Sequence, residues 1–250
     1  MNTNTHTSHI LLFFFPIFLI ISCRSQRDLI REGVVQLRSR DYDSTKREFI
    51  NESIMPDMNI WFKGHLVIEE IKTINMRDSN GIRTKKTPVA YYLLIDRNSK
   101  TFYNYSSFSD TAAILDKYTQ ADTAEIKGLG GWNFYRNYNW DIADPLQFLS
   151  DTTIVNIVFR RVQLVLRSSN HLLRTTAYLR CDKKGTVFSF NKELSKKLGC
   201  PIVRMDDLPS PKNPIPTSSE IVFLKDTLSK EELKIFNAWE KNTKKYPINK

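Results

Sequence analysis

The 250-residue sequence lacks the short motifs that mark familiar classes of enzyme. It contains no GxSxG, HExxH, CxxC or GxxxxGK[ST] pattern, which argues against the hydrolase, zinc protease, thiol redox and P-loop chemistry that these motifs support. Histidine is scarce: only His65 and His171 lie beyond the first 22 residues, and a metal site would need further ligands. The sequence therefore predicts no catalytic residue, no metal site and no cofactor.

Charged side chains are absent from the first 22 residues, and residues 10–21 are apolar, interrupted only by Pro16. A helix of that length rises about 18 Å, which is too short for a hydrocarbon core of roughly 30 Å. An apolar run of this kind that ends at a small residue is typical of a secretory signal peptide. A buried helix or an uncleaved anchor is the alternative. We predict that residues 1–22 are a signal peptide.

The signal segment ends in Ile20-Ile21-Ser22-Cys23, which resembles the lipobox of bacterial lipoproteins: an aliphatic residue, a permissive position, a small residue and a cysteine. The resemblance covers only the signal segment. It implies that the chain is cut before Cys23 and that the Cys23 sulfur carries a lipid such as palmitate. The expected location is the bacterial cell envelope, on the outer rather than the inner membrane, so that the first partner is the membrane itself.

The formal net charge of +10 lies entirely beyond the signal segment. Net charge bears on partners rather than on fold, and the anionic partners near a membrane are lipid headgroups, lipopolysaccharide phosphates and acidic cell-wall polymers. Nucleic acid is not expected, because the chain carries no recognisable nucleic-acid motif. The basic residues are spread along the sequence and diluted by acidic neighbours, so an ordinary solvated basic surface is the alternative interpretation.

Cysteine is also scarce: once Cys23 is assigned to the anchor, only Cys181 and Cys200 remain. Two thiols in an exported protein favour a disulfide, because that compartment is usually oxidising. By the chain-entropy model, a loop of this length contributes about 3 kcal/mol to stability. Two buried free thiols are the alternative.

Hydrophobic periodicity and turn signals predict an α+β fold with a mostly antiparallel, curved sheet, several short helices and a C-terminal helix. Asn191 is expected to cap one helix, and Ser229 with Glu232 forms a capping box for the last. The predicted helices are residues 27–37, 111–118, 191–198 and 229–243, and the predicted strands are residues 60–76, 89–95, 101–105, 153–166, 172–181 and 186–190.

This pattern divides the chain into four segments. Residues 1–22 are the signal peptide, 23–58 an N-terminal tether and helix, 59–208 the sheet domain, and 209–250 a proline-rich connection with a docked C-terminal helix. Three carboxylate pairs lie in the sheet domain: Glu69-Glu70, Asp141 with Asp144, and Asp206-Asp207. Glu69 and Glu70 should point to opposite faces of a strand, and Asp206-Asp207 is expected in a loop.

Residues 132–140 alternate between two kinds of side chain. Read with a period of two, one face would carry Trp132, Phe134, Arg136, Tyr138 and Trp140. Such a face could stack on sugar rings or cradle an anionic group, as a ligand or glycan site. The alternative is that the aromatic face is ordinary core and the asparagine face is wet.

A triplet of Asp, then Ser or Thr, then Ala, Thr or an aliphatic residue recurs five times. It resembles the O-glycosylation sequon that a large group of Gram-negative bacteria uses on exported proteins. The resemblance implies that the acceptors are Ser44, Thr111, Thr123, Thr152 and Thr227. The alternative is that these are turn and cap residues, whose short side chains bond nearby backbone groups.

Residues 89–95 are apolar on both strand faces, and residues 153–166 nearly so. An antiparallel strand usually exposes one face to water, so both faces here must be covered by helices or by a bound apolar ligand. These patterns predict a non-enzymatic envelope lipoprotein that binds an apolar ligand such as a lipid. The alternative is an interaction protein that presents a basic or aromatic surface to glycan, cell wall or a partner protein.

Overall fold

The computed structural model describes residues 31–50, 55–79, 82–119, 141–142, 145–168, 171–186, 188–208 and 216–245. A short 3₁₀ turn spans Cys181–Lys183. In chain order the described elements are β1 (Glu32–Asp43), β2 (Glu48–Ile50), β3 (Met58–Lys63), β4 (Leu66–Lys72), β5 (Asn75–Ser79), β6 (Ile82–Lys86), β7 (Val89–Asp96), β8 (Thr101–Tyr105), β9 (Ile114–Thr119), β10 (Asp141–Ile142), β11 (Gln147–Ile154), β12 (Ile157–Ser168), β13 (His171–Leu179), α1 (Lys192–Leu198), β14 (Ile202–Asp207), β15 (Thr217–Lys225) and α2 (Lys230–Lys245).

Thirteen of these strands form one sheet with the order β10-β12-β13-β14-β15-β1-β3-β4-β7-β8-β9; β11 pairs with β12, and β2 with β1. Strands β5 and β6 form a separate hairpin. Neighbouring strands run antiparallel, including β1 and β15, which come from opposite ends of the described chain. The predicted antiparallel sheet with a C-terminal helix is therefore confirmed. The fold is mainly β, however, and matches the predicted α+β class only loosely.

Two predicted helices are wrong, because the described parts of residues 27–37 and 111–118 are extended. The first contributes to β1, and the second to β9. In β1, the side chain of Val34, which pairs with Trp61, lies on one face of the sheet. The side chain of Val35 lies on the other face. Both valines are buried. A strand that is covered on both faces shows consecutive apolar residues, and their spacing imitates that of an amphipathic helix.

Gly33 in β1 is required by a close approach of two backbones. A Cβ atom at this position would lie 2.5 Å from the carbonyl oxygen of Lys225 on β15 and 3.1 Å from the ring of Phe62. No side chain fits in that space without a shift of the backbone. The glycine therefore lets β15 pair closely with β1 where the ladder between them is irregular.

Two predicted strands are each interrupted by a turn. Within residues 60–76, β3 ends at Lys63. The chain then turns at Gly64, which has a φ of 58°, and β4 follows. Residues 153–166 begin in β11 and enter β12 after Val155-Asn156, where both residues have positive φ, 48° and 62°. These values match a two-residue type I′ hairpin, for which Asn-Gly rather than Val-Asn is the usual sequence.

Two further predictions are wrong. No strand forms in the described part of residues 186–190, because this segment belongs to the loop that carries α1. Asp206 and Asp207 lie at the end of β14 rather than in a loop, and Asp206 is buried. In β14, Asp206 pairs with an arginine two residues earlier, Arg204, at 2.8 Å, which offsets the cost of burying a carboxylate.

Several local predictions are confirmed. Residues 89–95 and 101–105 form the β7–β8 hairpin. The helix predicted at residues 191–198 is α1: the Asn191 side chain accepts a hydrogen bond from the Leu194 amide, and Gly199 ends the helix in the left-handed conformation. The residues 229–243 form most of α2, and its capping box is present.

The sheet has two differently covered faces. We call the face that carries Val35, Ile60 and Leu93 the core face, and the opposite face the helix face. On the helix face, α2 packs through Ile235, Phe236 and Trp239 onto a cluster of its own. The core face forms one cluster that extends from β12 to β9 and includes side chains of the α1 loop. Segments 23–58 and 209–250 thus both contribute elements to the domain core.

Candidate functional site

The disulfide loop comprises residues 181–200, between β13 and β14. Cys181 and Cys200 are joined in a disulfide, with their Cα atoms 4.7 Å apart. The Cys200 side chain is buried in the core-face cluster. The loop is thus closed covalently at both ends, with α1 inside it.

Buried aromatic rings and two serines hold the disulfide loop against the sheet. Phe188 is buried on the core face and packs edge-on against Phe62 of β3, with ring centroids 4.8 Å apart. The hydroxyls of Ser189 and Ser195 hydrogen-bond to each other. Each also accepts a hydrogen bond from the Ile202 amide of β14 at 3.1 Å. These contacts give the loop and α1 a defined position over one end of the sheet.

A cleft of about 430 Å³ opens between the disulfide loop and the turn of the β7–β8 hairpin. We call it the basic cleft, because its charged lining residues are Arg97, Lys184, Lys192 and Lys196. None of the described residues that line it is acidic. Lys184 and Lys196 are exposed, whereas Arg97 and Lys192 are half-buried. Four cations therefore share one concave surface.

The charges in the basic cleft influence one another. The pKa of Lys192 is lowered, first by burial of its ammonium group and second by the positive charge of Arg97. Both effects disfavour the charged form of the lysine. An anion placed between the two side chains would reverse the second effect, because it attracts both cations. The arrangement is therefore suited to an anionic ligand.

Several basic residues elsewhere on the sheet have acidic partners. Arg204 on β14 forms an ion pair with Asp206 and lies over the ring of Tyr178 at 5.0 Å. Arg38 and Arg40 on β1 both approach Asp57 at 3.6 Å. A carboxylate thus offsets part of the charge on these arginines within the fold. These arginines agree with the alternative interpretation of the net charge, which is an ordinary solvated basic surface.

A second open cleft of about 550 Å³ lies beside β9. Residues 112–117 line it, together with Asn242 from the end of α2. It contains one acidic and one basic side chain, Asp116 and Lys117. Because these charges offset each other and one short segment provides most of the wall, this cleft has little basis for selecting a ligand.

The protein itself packs against much of the two strands whose apolar faces suggested a bound lipid. Leu94 in β7 and Leu164 in β12 are almost fully buried by other parts of the chain, whereas Val89 and Val158 on the same strands are exposed. In β7 this burial comes from α2 on one face and from the core-face cluster on the other. This packing reduces the need for an external apolar ligand to cover these strands.

A buried carboxyl group, that of Glu69, lies among the apolar side chains of the core face. Glu69 in β4 pairs with Ile60 and Leu93 on its two sides and is 1% exposed. Its Oε1 atom has no hydrogen-bond partner among the described residues. Burial raises the pKa of the Glu69 carboxyl to about 8, so that it is mostly neutral at pH 7. Glu70 lies on the opposite face, as predicted, where Lys72 contacts its carboxylate at 3.0 Å.

Several predicted site residues lie outside the described residues. They are Cys23, Thr123 and the proposed ligand or glycan face, Trp132, Phe134, Arg136, Tyr138 and Trp140. Three of the remaining predicted glycosylation acceptors, Ser44, Thr111 and Thr227, are exposed in turns, which suits both the sequon and the turn interpretation. The fourth, Thr152, is half-buried within β11.

Within the described residues, no group of three or more His, Cys, Asp and Glu side chains is arranged to bind a metal ion. Nor is any of the described helices both long and apolar enough to span a membrane. His65 lies near Asp96, with its Nε2 atom 3.8 Å from a carboxylate oxygen, at the surface rather than in a cleft.

The sequence patterns did not predict that the four basic residues of the cleft share a site. Lys192 and Lys196 are four residues apart, which places them on one side of α1, and this spacing was an available signal. Arg97 carried no such signal. It reaches the cleft because it occupies the β7–β8 turn, where its amide donates to the His65 carbonyl at 3.0 Å.

No protein-family model matches the chain, and no curated protein shows significant similarity to it. Assignment of a function therefore rests on the signal-segment resemblance and on the geometry of the described residues.

Proposed function

We propose that this protein is a bacterial envelope lipoprotein, anchored through lipid on Cys23, whose folded domain is a non-enzymatic binding module for an anionic component of the envelope. The lipobox resemblance supports the anchor. The observation that carries the binding role is the basic cleft, in which four cations and no described acidic residue line one concave surface.

The basic cleft concentrates positive charge in a concavity, where field lines are focused and the local anion concentration rises. Such binding should weaken as the salt concentration increases.

The anchor is tested by metabolic labelling with palmitate, in the wild type and in Cys23→Ala. We expect labelled wild-type protein and an unlabelled variant. Equal labelling of the two would rule out lipid on Cys23.

Binding is tested with the purified full chain in detergent and immobilised lipopolysaccharide that is either intact or dephosphorylated. We expect retention on the intact material at low salt and release by about 0.5 M salt. The test variant is Lys184→Gln/Lys192→Gln/Lys196→Gln. The matched control is Lys230→Gln/Lys241→Gln/Lys245→Gln, which removes the same charge from exposed positions of α2. Equal retention of both variants would contradict the proposed role of the cleft.

A second candidate function is binding of an apolar ligand, such as a lipid, against the core face. Glu69 favours it, because a neutral buried carboxyl with an unpartnered oxygen could bond a polar group of such a ligand. Native mass spectrometry of the protein purified without added lipid tests this candidate. A co-purifying lipid that Glu69→Leu loses would support it, whereas a ligand-free wild type would oppose it.

A further inference from the structure

We propose that one end of the sheet, which we call the anchor end, lies against the membrane and inserts the β11–β12 turn among the lipid headgroups. The partner in this inference is the surface of an anionic bilayer. The inference rests on the lipid anchor of the proposed function and adds an orientation to the anchored domain. It combines the strand topology, the contacts along the anchor end and the conformation of Val155.

The anchor end is the end of the sheet at which β1 begins. Because β1 and β15 are antiparallel, β15 finishes there, and the same alternation through β14 and β13 brings the start of β12 to this end. The β11–β12 turn, Val155-Asn156, therefore lies at the anchor end. On the other side of β1, the turn at Gly64 and the β7–β8 turn lie there too.

Contacts join the connections at the anchor end into one continuous surface. Arg180, which follows β13, lies over the ring of Phe159 in β12 at 5.7 Å. Lys183 of the disulfide loop contacts the carboxylate of Asp226, which follows β15, at 2.8 Å. The disulfide loop also lines a cleft together with Arg97 of the β7–β8 turn. The strand ends thus form a single surface that extends from β12 to the β7–β8 turn.

The first described residue limits the distance from this surface to the lipid. The carbonyl oxygen of Arg31 accepts a hydrogen bond from the Gly64 amide at 2.7 Å, which ties the chain to the anchor end. Cys23 precedes Arg31 by eight residues, and eight residues span at most about 29 Å. The 12 residues of β1 extend up to about 40 Å. A tether of this length favours the anchor end over the opposite end of β1 as the side that faces the membrane.

Val155 presents an apolar side chain at the anchor end. It is the most exposed of the large apolar side chains in the described part of the chain, and Val158 in the adjoining strand is exposed as well. A valine with a φ of 48° is strained, and burial within the domain does not offset this strain. Strain that persists at an exposed position indicates a role beyond folding. Insertion into the headgroup layer would bury both valines, which is favourable for apolar side chains.

Exposed cations lie along the same surface. They are Lys100 in the β7–β8 turn, Arg160 in β12 and Lys184 in the disulfide loop. Two acidic side chains of this surface, Asp182 and Asp226, are already held in ion pairs. Cations near a bilayer are attracted by the negative surface potential of anionic lipids, and mobile headgroups need no fixed partner geometry. The anchor end therefore offers a bilayer both an apolar turn and positive charge.

Spin labelling of the lipidated protein in vesicles of phosphatidylcholine and phosphatidylglycerol tests the orientation. A nitroxide is attached to Val155→Cys without reductant, which leaves the Cys181–Cys200 disulfide closed. We expect this label to lose most of its accessibility to a water-soluble nickel complex and to gain accessibility to oxygen, which dissolves in lipid. The matched control is Met76→Cys, an exposed apolar position on the hairpin that follows β4 at the opposite end of the sheet. Its label should remain accessible to the nickel complex.

The role of charge is tested in the same vesicles. Arg160→Gln/Lys184→Gln should reduce the shielding of the label at Val155→Cys, and so should vesicles of phosphatidylcholine alone. Lys85→Gln/Lys86→Gln removes the same charge from exposed positions of β6 and should leave the shielding unchanged. Circular dichroism of each variant establishes that it is folded. Equal effects of the two double variants would overturn the proposed contact of these cations with the bilayer.

The outcomes separate this inference from the proposed function. Equal accessibility of the Val155→Cys and Met76→Cys labels to the nickel complex would overturn the orientation and leave the lipid anchor standing. Low accessibility of the Val155→Cys label to both nickel and oxygen would also overturn it, because it identifies a protein contact such as a second copy of the chain. A nitroxide on the wild type would show that the Cys23 sulfur is free, which refutes the anchor and the tether that depends on it.

Discussion

Trp239 of α2 lies flat on Tyr105 of β8, with ring centroids 3.8 Å apart and ring planes 1° apart. Both residues are fully buried. The indole Nε1 atom of Trp239 also donates a hydrogen bond to the carbonyl oxygen of Ser109 at 2.8 Å. One side chain thus joins the C-terminal helix to the sheet by stacking and to the β8–β9 connection by a directional bond.

Replacement of this side chain should strongly destabilise the domain. We expect Trp239→Ala to lower the free energy of unfolding by about 3–5 kcal/mol, because it leaves a large cavity under α2 and removes the bond to Ser109. Trp239→Phe should cost less, since it keeps part of the ring contact. Urea unfolding measures both values. The control is Lys241→Ala on the exposed side of α2, and a comparable loss in that variant would contradict the assignment.

Glu69 should make stability fall as the pH rises. Its folded-state pKa of about 8 lies above its ordinary value of 4.5, so the folded state holds a proton that the unfolded state loses between these pH values. The contribution of Glu69 to stability is therefore highest below about pH 4 and declines up to about pH 8. We expect Glu69→Gln to be more stable than the wild type at pH 8, by about 2–4 kcal/mol, and similar to it at pH 4.

Glu70 supplies the matched control for Glu69. It lies next in β4 but on the opposite face, paired with Lys72. We expect Glu70→Gln to lose stability at neutral pH, because it loses an ion pair. Thermal unfolding between pH 4 and pH 8 measures both variants, and a Glu69→Gln curve parallel to that of the wild type would contradict the raised pKa.

Glu232 should have the opposite pH dependence. It accepts hydrogen bonds from the Ser229 amide, from Trp61 Nε1 and from Lys225 Nζ. Burial acts to raise its pKa, but the bonds from Lys225, Ser229 and Trp61 outweigh burial and lower it. The stabilisation is thus present above its ordinary pKa and is lost as the pH falls through the lowered pKa.

Replacement of Glu232 tests this sign. We expect Glu232→Gln to cost about 1 kcal/mol at pH 7, where it loses the charge opposite Lys225, and to be nearly neutral at pH 3. Glu231→Gln, at the neighbouring exposed position, serves as the control. A penalty for Glu232→Gln that does not change with pH would show that its charge is unimportant.

The β11–β12 turn offers a stabilising substitution. Val155 has a φ of 48°, which a β-branched residue adopts only with strain, and its side chain is 87% exposed. We expect Val155→Asn to raise the free energy of unfolding by about 1 kcal/mol, since asparagine tolerates this conformation and little apolar burial is lost. Val158→Asn, in the adjacent strand, is the control, and no gain from Val155→Asn would refute the strain.

The cysteine pairing is tested by intact mass. Alkylation of the unreduced protein after denaturation should label neither Cys181 nor Cys200, and prior reduction with a dithiol should expose both. Two labelled thiols without reductant would exclude the disulfide in the purified protein.

Local interactions account for the elements that the sequence predicted well. Ser229 and Glu232 satisfy each other's backbone donors. At the two ends of α1, the Asn191 side chain accepts from the Leu194 amide and the Gly199 amide donates to the Lys196 carbonyl. These bonds form between residues a few positions apart, so their pattern is visible in the sequence. The alternation that placed Glu69 and Glu70 on opposite faces is likewise a property of any strand.

Other features depended on partners distant in the sequence. Residues 32–37 became strand because β15 and β3 pair with them and both faces are covered, which overrides a helical spacing of apolar residues. Val155-Asn156 forms a turn because β11 and β12 pair with each other on its two sides, although this dipeptide is unusual in a hairpin turn.

The sequence by itself predicted a signal segment and determined several of the antiparallel strands, the helix caps and the excess of positive charge, because each follows from composition or from neighbours along the chain. Only the tertiary structure decided which of those charges share a surface. Arg97 and Lys192 are far apart in the sequence, and they meet because the disulfide loop packs over the β7–β8 turn. Tertiary packing likewise decided that Glu69 is buried among apolar side chains, since burial depends on every element that covers a residue.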